Sequence, residues 1–316
     1  MSTNHAIFVD PAVEGRLVIR EAPDPVPLPS EAVIRVASIS LNRGEIRRSL
    51  SAAAGWRPGW DFAGTVEWAA VDGSGPKEGM RVVGMLASGA WAERIVAPTH
   101  ALAEIPAEVS FAQAATLPVA GLTALHALMK GGFLLEKPVL ITGATGGVGD
   151  FALQLARLAG ARVVANVRRE DQEAQVRAAG AEAVVLDSQL SDPQPFGPYS
   201  LILDSVGGTT LAKVMGLLGE SGMCVSFGTS GGAHVTLDVS RFYPIGGASL
   251  YGFILFTELQ RVEPAGPGLA RLADLVARKK LTPAISIEAP WSQVAHIAQQ
   301  LTDRKYPGKA VLHLSE

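Results

Sequence analysis

One stretch near the middle of the chain limits the possible folds more than any other. Residues 139–160, VLITGATGGVGDFALQLARLAG, place four glycines between an apolar run and a segment whose apolar residues recur every three or four positions. This is the pattern of a buried strand, a tight turn and an amphipathic helix. Glycines let the backbone approach a phosphate closely, and a helix N-terminus favours negative charge. The stretch predicts a dinucleotide site whose contacts include Thr145, Gly146, Gly147 and Val148.

Predicted strands and helices alternate after this turn. The strands are 139–142, 162–167, 183–186, 201–204 and 223–227, and the helices between them are 148–159, 170–179 and 209–218. Such alternation is typical of a parallel sheet that is covered by helices on both faces. We therefore predict an α/β protein with a doubly wound Rossmann domain over residues 116–258.

The first hundred or so residues have a different pattern. Short segments rich in Val and Ile are separated by clusters of Gly, Pro, Asp and Ser, which favours β-strands at 17–20, 32–41, 63–71, 81–86 and 91–97. Strands at this spacing indicate a compact, partly open β-barrel. A helix at 269–279, a strand at 285–288, a helix at 291–302 and a strand at 310–314 follow at the end of the chain. We assign residues 1–115 and 259–316 to this second domain.

Composition excludes several classes of protein. The formal net charge of the 316 residues is −3, without the clustered basic excess that nucleic acids or anionic membranes attract. A single cysteine, Cys224, rules out an intramolecular disulfide and a multi-cysteine zinc site. The longest apolar runs are far shorter than the roughly 20 residues that span a bilayer. With no secretory signal at the N-terminus, we expect a cytoplasmic protein without nucleic-acid or membrane partners.

The end of the second Rossmann strand predicts which dinucleotide binds. Enzymes that use NAD usually place an acidic residue there, which holds the ribose 2′-hydroxyl group. This chain instead has Arg168 and Arg169, whose guanidinium groups form strong hydrogen bonds with a 2′-phosphate. The alternative is a solvated pair of surface arginines. Two cations just before a helix N-terminus are unfavourable on their own, which favours NADPH (NADP+) as the cofactor.

The turn also matches the TGxxxGxG pattern of short-chain dehydrogenases, which is a competing interpretation. Those enzymes need a tyrosine followed four positions later by a lysine, because the lysine lowers the pKa of the tyrosine. None of the four tyrosines here meets that requirement: the residues four positions later are Leu203, Gly247, Leu255 and Ala310. The glycine turn also lies in mid-chain rather than near the start. This interpretation fails.

Several motifs, in order along nearly the whole chain, resemble one family. They are LNRGEIRRS (41–49), PGWDFAGTV (58–66), AATLPVAGLTALHAL (114–128), the glycine turn, LILDSVGG (201–208) and GKAVL (308–312). The chain is similar to the quinone oxidoreductase branch of the medium-chain dehydrogenase/reductase superfamily. The resemblance implies a GroES-like β-barrel domain beside the Rossmann domain, and it is not specific to one substrate.

The resemblance also provides a test for zinc. Zinc-dependent members carry cysteine at the position of Asn42, histidine at the position of Trp60 and usually cysteine or an acid near Val119. Trp60 and Val119 offer no ligand atom, and an isolated Asn42 is a poor ligand. We predict no metal site. Without a Lewis acid, hydride transfer to the β-carbon of a conjugated carbonyl compound is favoured, because the enolate needs only hydrogen-bond donors and a proton. The resemblance implies that the substrate is a quinone, enone, enal or enoyl thioester.

The resemblance implies roles for particular residues. Asn42 aligns with a residue that lines the nicotinamide pocket, and Thr123 with a threonine that hydrogen-bonds the cofactor. Val206 resembles a residue beside the adenosine. A strand whose backbone meets the carboxamide corresponds to Phe253, Ile254 and Leu255. For each of these residues a purely structural role is the alternative.

One segment departs from the family pattern. Several relatives carry a tyrosine in the segment that corresponds to residues 45–48, where this chain has Glu45, Ile46, Arg47 and Arg48. Arg47 is our second catalytic candidate, as a permanent cation for an enolate oxygen, although a surface role is the alternative. Arginine does not readily supply a proton, so the proton donor is not identified. We expect a structural role for Glu45.

Assembly and activity have further alternatives. Relatives pair through a sheet edge, so we expect a homodimer formed through residues 249–255. The chain is an NADPH-dependent reductase of a small conjugated carbonyl or quinone in our main hypothesis. There are two alternatives. The chain is a specialised biosynthetic tailoring enzyme in one, and a non-catalytic NADPH-binding regulatory or structural protein in the other.

Overall fold

A computed structural model describes residues 4–190 and 195–314. The chain divides into two compact units, Met1–Leu122 with Leu259–Glu316, and Thr123–Glu258. The first division falls after Leu122, whereas the sequence pattern placed it after residue 115. The second falls after Glu258, the position that the pattern indicated.

The helices and strands are numbered here in chain order. The first part of the chain contains β1 (Asn4–Val9), β2 (Leu17–Ala22), β3 (Glu31–Ser40), α1 (Arg43–Ser51), β4 (Asp61–Trp68), β5 (Arg81–Met85), β6 (Arg94–Pro98), β7 (Leu102–Glu104) and α2 (Phe111–Ala115). The middle contains α3 (Leu122–Met129), β8 (Pro138–Ile141), α4 (Gly147–Leu158), β9 (Arg162–Val167), α5 (Glu173–Ala178), β10 (Ala183–Leu186), β11 (Tyr199–Asp204), α6 (Gly208–Met215), β12 (Leu218–Ser226), α7 (Val239–Phe242), β13 (Ser249–Gly252) and α8 (Leu255–Arg261). The last part contains α9 (Ala265–Ala277), β14 (Ile285–Pro290), α10 (Val294–Thr302) and β15 (Lys309–His313).

The first unit is built on a seven-stranded sheet in the order β14-β15-β3-β4-β5-β7, with β6 paired to β3. Its long strand β3 pairs antiparallel with β4, β6 and β15 and contributes buried Ile34 and Ile39 to the core. The pairing of β15 with β3 brings Val311 opposite Ser40. This register places the start of β15, from the end of the chain, beside the start of α1.

The second unit contains a six-stranded sheet in the order β10-β9-β8-β11-β12-β13. Every neighbouring pair in it is parallel. Numbered within the unit this is the order 3-2-1-4-5-6, which is the Rossmann arrangement. Strand order reverses between β8 and β11, and ligands of such sheets bind beyond the carboxyl ends of the strands at that point. The predicted combination of a doubly wound Rossmann sheet and a separate β-rich domain is confirmed.

Two local features differ from the sequence prediction. The segment at Phe253, Ile254 and Leu255 is not a strand, because β13 ends at Gly252 and α8 begins at Leu255. Helix α1 was not predicted, since its sequence RGEIRRSLS is mostly polar and only Glu45, Ile46 and Ser49 are buried. Its buried face holds a carboxylate, which an apolar periodicity does not reveal.

Candidate active site

The glycine turn joins β8 to α4 at the point where the strand order reverses. Gly143 has φ +59°, and a Cβ on it would collide with the hydroxyl group of Ser205. A Cβ on Gly149 would lie 2.5 Å from the carbonyl oxygen of Gly143. Both positions therefore require glycine. The predicted contact residues Thr145, Gly146, Gly147 and Val148 form the solvent-accessible part of the turn and the start of α4.

A buried carboxylate fixes the strand ends beneath this turn. Asp204, at the end of β11, accepts hydrogen bonds from the hydroxyl group of Thr142 (2.8 Å) and from the backbone N–H groups of Val206 (3.2 Å) and Gly207 (3.0 Å). The hydroxyl group of Ser226 in β12 is a fourth donor at 3.4 Å. Burial raises the pKa of Asp204, and these donors oppose the shift. The network positions Val206, the predicted adenosine contact.

The two arginines lie at the end of β9, next to the glycine turn. The backbone N–H of Ala144 in the turn donates to the carbonyl of Asn166 in β9 (3.5 Å), two residues before Arg168. Both arginine side chains are exposed. The Arg169 guanidinium forms an ion pair with Asp171 (2.9 Å), which raises the pKa of that arginine. This acidic neighbour lies only two residues after Arg169 in the chain.

A second buried carboxylate connects two segments that were predicted to contact the nicotinamide. Glu258 in α8 forms an ion pair with Lys130 (2.7 Å), directly after α3, and accepts a hydrogen bond from the hydroxyl group of Tyr251 in β13 (2.5 Å). The ammonium group of Lys130 lies 4.5 Å from the centre of the Tyr251 ring. These contacts hold α3, which carries Thr123, against the segment that carries Phe253. Sequence patterns did not single out Lys130 or Glu258.

The predicted residues in these two segments have different environments. Thr123 and Phe253 are buried, and Leu255 is buried at the start of α8. The backbone N–H of Phe253 donates to Ser226 (2.9 Å), and its ring contacts Phe227 edge-on. Ile254 is exposed.

Asn42 is the centre of a buried polar cluster in the first unit. Its amide nitrogen donates to Glu45 (2.9 Å) and to Asp61 (2.8 Å), so both amide hydrogens are used. Its amide oxygen accepts a hydrogen bond from the ammonium group of Lys309 (2.6 Å). The backbone N–H of Asn42 also donates to Glu45 (2.7 Å), at the start of α1. The orientation of the Asn42 amide is therefore fixed.

The charges in this cluster are almost completely shielded from solvent. Glu45 and Asp61 are fully buried, and Lys309 is 3% exposed. Lys309 also donates to the carbonyl of Leu41 (2.9 Å) and lies 3.4 Å from Asp61. Burial and the neighbouring Asp61 raise the pKa of Glu45 well above its usual range, and burial lowers the pKa of Lys309.

Backbone and hydroxyl donors complete the cluster. Asp61 accepts hydrogen bonds from the hydroxyl group of Ser40 (2.8 Å) and from the backbone N–H of Val119 (3.0 Å). Glu45 accepts one from the backbone N–H of Trp60 (2.7 Å). The structure thus brings together Asn42, Trp60 and Val119. These are the three positions at which zinc ligands were sought in the sequence. Lys309 lay within the GKAVL motif, but its role was not foreseen.

Arg47 lies one turn into α1 with an exposed side chain. The next residue, Arg48, has its guanidinium 5.1 Å from the centre of the Trp56 ring. Arg47 stays the candidate for contact with an acidic or enolate oxygen.

Comparison with known proteins assigns the chain to a family. Residues 28–107 match the alcohol dehydrogenase GroES-like domain, and residues 147–269 match a family described as zinc-binding dehydrogenase. A chloroplast envelope quinone oxidoreductase homolog of Arabidopsis thaliana is 29% identical over 313 residues, which are 92% of each chain. The chain belongs to the medium-chain dehydrogenase/reductase superfamily. Within that superfamily it is a quinone oxidoreductase-like member.

Further relatives of this dehydrogenase/reductase are also named quinone oxidoreductases or share its fold. Quinone-oxidoreductase QR1 of Triphysaria versicolor is 37% identical over 181 residues, which are 52% of this chain and 55% of that protein. The solved structure of a mycobacterial quinone oxidoreductase is 27% identical, covers 98% of this chain and 100% of its own, and superimposes with a TM-score of 0.86. A mycobacterial structure complexed with NADPH has the same identity and TM-score. A pyridine nucleotide is therefore the cofactor class of this family member.

The cellular location of this dehydrogenase/reductase stays a prediction. No helix in residues 4–190 and 195–314 is long and apolar enough to cross a membrane. The Triphysaria and Arabidopsis relatives, however, are chloroplast proteins by name.

A carboxylate that sequence patterns did not single out lies in the first turn of α4. Asp150 is 5% exposed and accepts a hydrogen bond from Gln154 (2.8 Å). Burial raises its pKa to about 6. Between about pH 4 and pH 6 the folded protein keeps a proton that the unfolded chain releases, so this group lowers the stability as the pH rises through that range.

We expect Asp150→Asn to stabilise the protein at pH 7.5 by roughly 2–3 kcal/mol and to have little effect below pH 4. The measurement is urea unfolding of both proteins at several pH values. Asp303→Asn is the matched control, because Asp303 accepts a similar hydrogen bond from Gln299 but is exposed. An equal effect of Asp150→Asn at all pH values would contradict the assigned pKa.

We expect Lys309→Met to lower the free energy of unfolding by about 3 kcal/mol or more at pH 7.5, because two buried carboxyl groups lose their only cationic partner in the cluster. The loss should shrink as the pH falls and Glu45, whose pKa is raised by burial, becomes protonated. Urea unfolding measures both effects. Lys305→Met, at an exposed lysine nearby in sequence, is the control and should change the stability by less than about 0.5 kcal/mol. A loss equal to that of the control would show that Lys309 does not hold the cluster together.

Proposed function

We propose that this protein is an NADPH-dependent reductase that transfers hydride to a quinone or an α,β-unsaturated carbonyl compound. The observation that carries the proposal is the glycine turn at the reversal point of the Rossmann sheet, next to the exposed pair Arg168 and Arg169. Names of relatives that cover most of the chain support the quinone class.

The residues present fit a dinucleotide. A Cβ on Gly143 would collide with Ser205 and one on Gly149 with the backbone of the turn, so both glycines are needed for the tight turn that we assign to the pyrophosphate. Arg168 and Arg169 are assigned to the 2′-phosphate, and Val206 to the adenosine. Thr123 and the segment from Phe253 are assigned to the nicotinamide end. The bound nucleotide supplies the hydride, and these residues bind and orient it.

The residues do not fit zinc, although one matching family is described as zinc-binding. In the part of the chain that the structure describes, no group of three or more His, Cys, Asp or Glu side chains is placed to hold a metal ion. The only amide oxygen of Asn42 accepts from Lys309, whose positive charge lies among the carboxylates of the cluster. A divalent cation beside this ammonium group would be repelled. We infer a reaction that does not use zinc.

The polar cluster limits what Asn42 contributes to the reaction. Its two amide hydrogens are bound to Glu45 and Asp61, so it does not donate to a substrate carbonyl. We assign it the role of a rigid wall at the start of α1. Arg47, on the same helix, is the group proposed to stabilise an enolate oxygen.

We expect Arg168→Ala and Arg169→Ala each to raise KM for NADPH about 10- to 100-fold, because charge-assisted hydrogen bonds to the 2′-phosphate are lost. KM for NADH should change less than twofold. The measurement is oxidation of each nucleotide at 340 nm with 1,4-benzoquinone, 9,10-phenanthrenequinone, 2-cyclohexenone and crotonyl-CoA.

Two variants sharpen this test. Arg177→Ala removes an exposed arginine that pairs with Glu173 in α5, so it should leave both KM values unchanged. Asp171→Asn releases Arg169 from its ion pair and should lower KM for NADPH. Equal losses with NADPH and NADH would refute the assignment of the arginines. Tight NADPH binding without turnover of any compound would favour a specialised substrate or a non-catalytic role.

We also propose a homodimer formed through β13. This strand is the last of the six-stranded sheet, so one edge of its backbone has no neighbouring strand among the described residues of the unit. Leu250 in β13 is exposed, and so is Ile254, which follows the strand.

Leu250→Lys should shift the sedimentation coefficient from that of a dimer to that of a monomer, whereas Val71→Lys, at an exposed site in the other unit, should not. A wild-type monomer would exclude the dimer.

A further inference from the structure

The indole ring of Trp60 is held rigidly at the start of α1. Its ring N–H donates to the carbonyl of Ala87 (3.1 Å), and its backbone N–H donates to Glu45. The far edge of the ring lies against Gly44, where an added Cβ would come within 2.7 Å of the ring atom Cη2. Contacts at both ends of the side chain fix its orientation.

Gly44 is present because the ring passes so close to it. A glycine inside a helix costs about 1 kcal/mol relative to alanine. Gly44 has an ordinary helical backbone, since it is not among the residues with positive φ. Its conformation therefore does not require glycine, whereas the contact with Trp60 does.

The Trp60 ring is not fully buried in the apolar core. Trp91 is fully buried, whereas Trp60 is only partly buried. Trp60 and Asn42 donate hydrogen bonds to the same carboxylate, that of Glu45. The ring lies against Gly44, which follows Asn42 by two residues and precedes Arg47 by three.

We propose that Trp60 is a stacking surface for the substrate and selects fused-ring aromatic quinones over small non-aromatic enones. This inference rests on the proposed function, which places the substrate at the start of α1. A flat quinone stacks on an indole face with a favourable interaction beyond its buried area. A ring that is already fixed loses little conformational entropy when the ligand binds.

The first experiment compares two acceptors in steady-state kinetics with NADPH. Trp60→Leu should lower kcat/KM for 9,10-phenanthrenequinone about three- to tenfold, mainly through KM, and change kcat/KM for 2-cyclohexenone less than twofold. Trp60→Phe, which keeps an aromatic face, should recover most of the loss. Trp68→Leu, at a half-exposed tryptophan at the other end of β4, is the control and should change neither value. Equal losses with both acceptors, or none with either, would overturn the proposal.

A second experiment tests the contact between Gly44 and the ring. Gly44→Ala should displace the indole and lower kcat/KM for 9,10-phenanthrenequinone as Trp60→Leu does. In the Trp60→Leu background the same change should have no further effect, because the two substitutions act on one interaction. Additive losses would show that Gly44 does not act through Trp60.

Calorimetric titration with 9,10-phenanthrenequinone in the absence of NADPH separates this inference from the proposed function. Binding that is weakened by Trp60→Leu, together with no turnover of any of the four acceptors by the wild type, would support the stacking surface and refute the reductase. Turnover that Trp60→Leu leaves intact would support the reductase and refute the stacking surface. A wild type that neither binds this quinone nor reduces any of the four acceptors would refute both.

Discussion

The arrangement of the first unit depends most on the hydrogen bonds and the ion pair that the buried ammonium group of Lys309 makes. It joins β15 at the end of the chain to Leu41 and Asn42 before α1 and to Asp61 at the start of β4. Two fully buried carboxylates would be strongly unfavourable there without a cation and hydrogen-bond donors. The position of α1, and with it the Asn42 amide and the Trp60 ring, follows from satisfying these charges.

The second unit uses buried carboxylates in a similar way. Asp204 joins the ends of β8, β11 and β12 under the glycine turn, and Glu258 joins α3 to the segment after β13. In both units, therefore, polar groups in the interior position the surfaces that are assigned to ligands. A fully satisfied buried network is rigid, and rigid supports are what precise positioning of a cofactor and substrate requires.

Local patterns predicted the elements whose residues interact with near neighbours in sequence. The glycine turn, the alternation after it and the strand ends at Arg168 follow from periodicity and turn chemistry, and the 3-2-1-4-5-6 sheet agrees with them. Helix α1 escaped prediction because its buried face is polar. The strand expected at Phe253, Ile254 and Leu255 was wrong, because an apolar run of that length does not distinguish a strand from the beginning of a helix.

The amino-acid sequence by itself determined the class of fold, the glycine turn and the family, since each depends on short motifs whose geometry is local. Only the tertiary structure decided that Lys309 meets Asp61, 248 residues away, and that Glu45 links Asn42 to Trp60. Pairing between distant polar residues leaves no periodic signal, because it depends on which strands become neighbours in the sheet. The ion pair of Arg169 with Asp171 likewise depends on side-chain conformation.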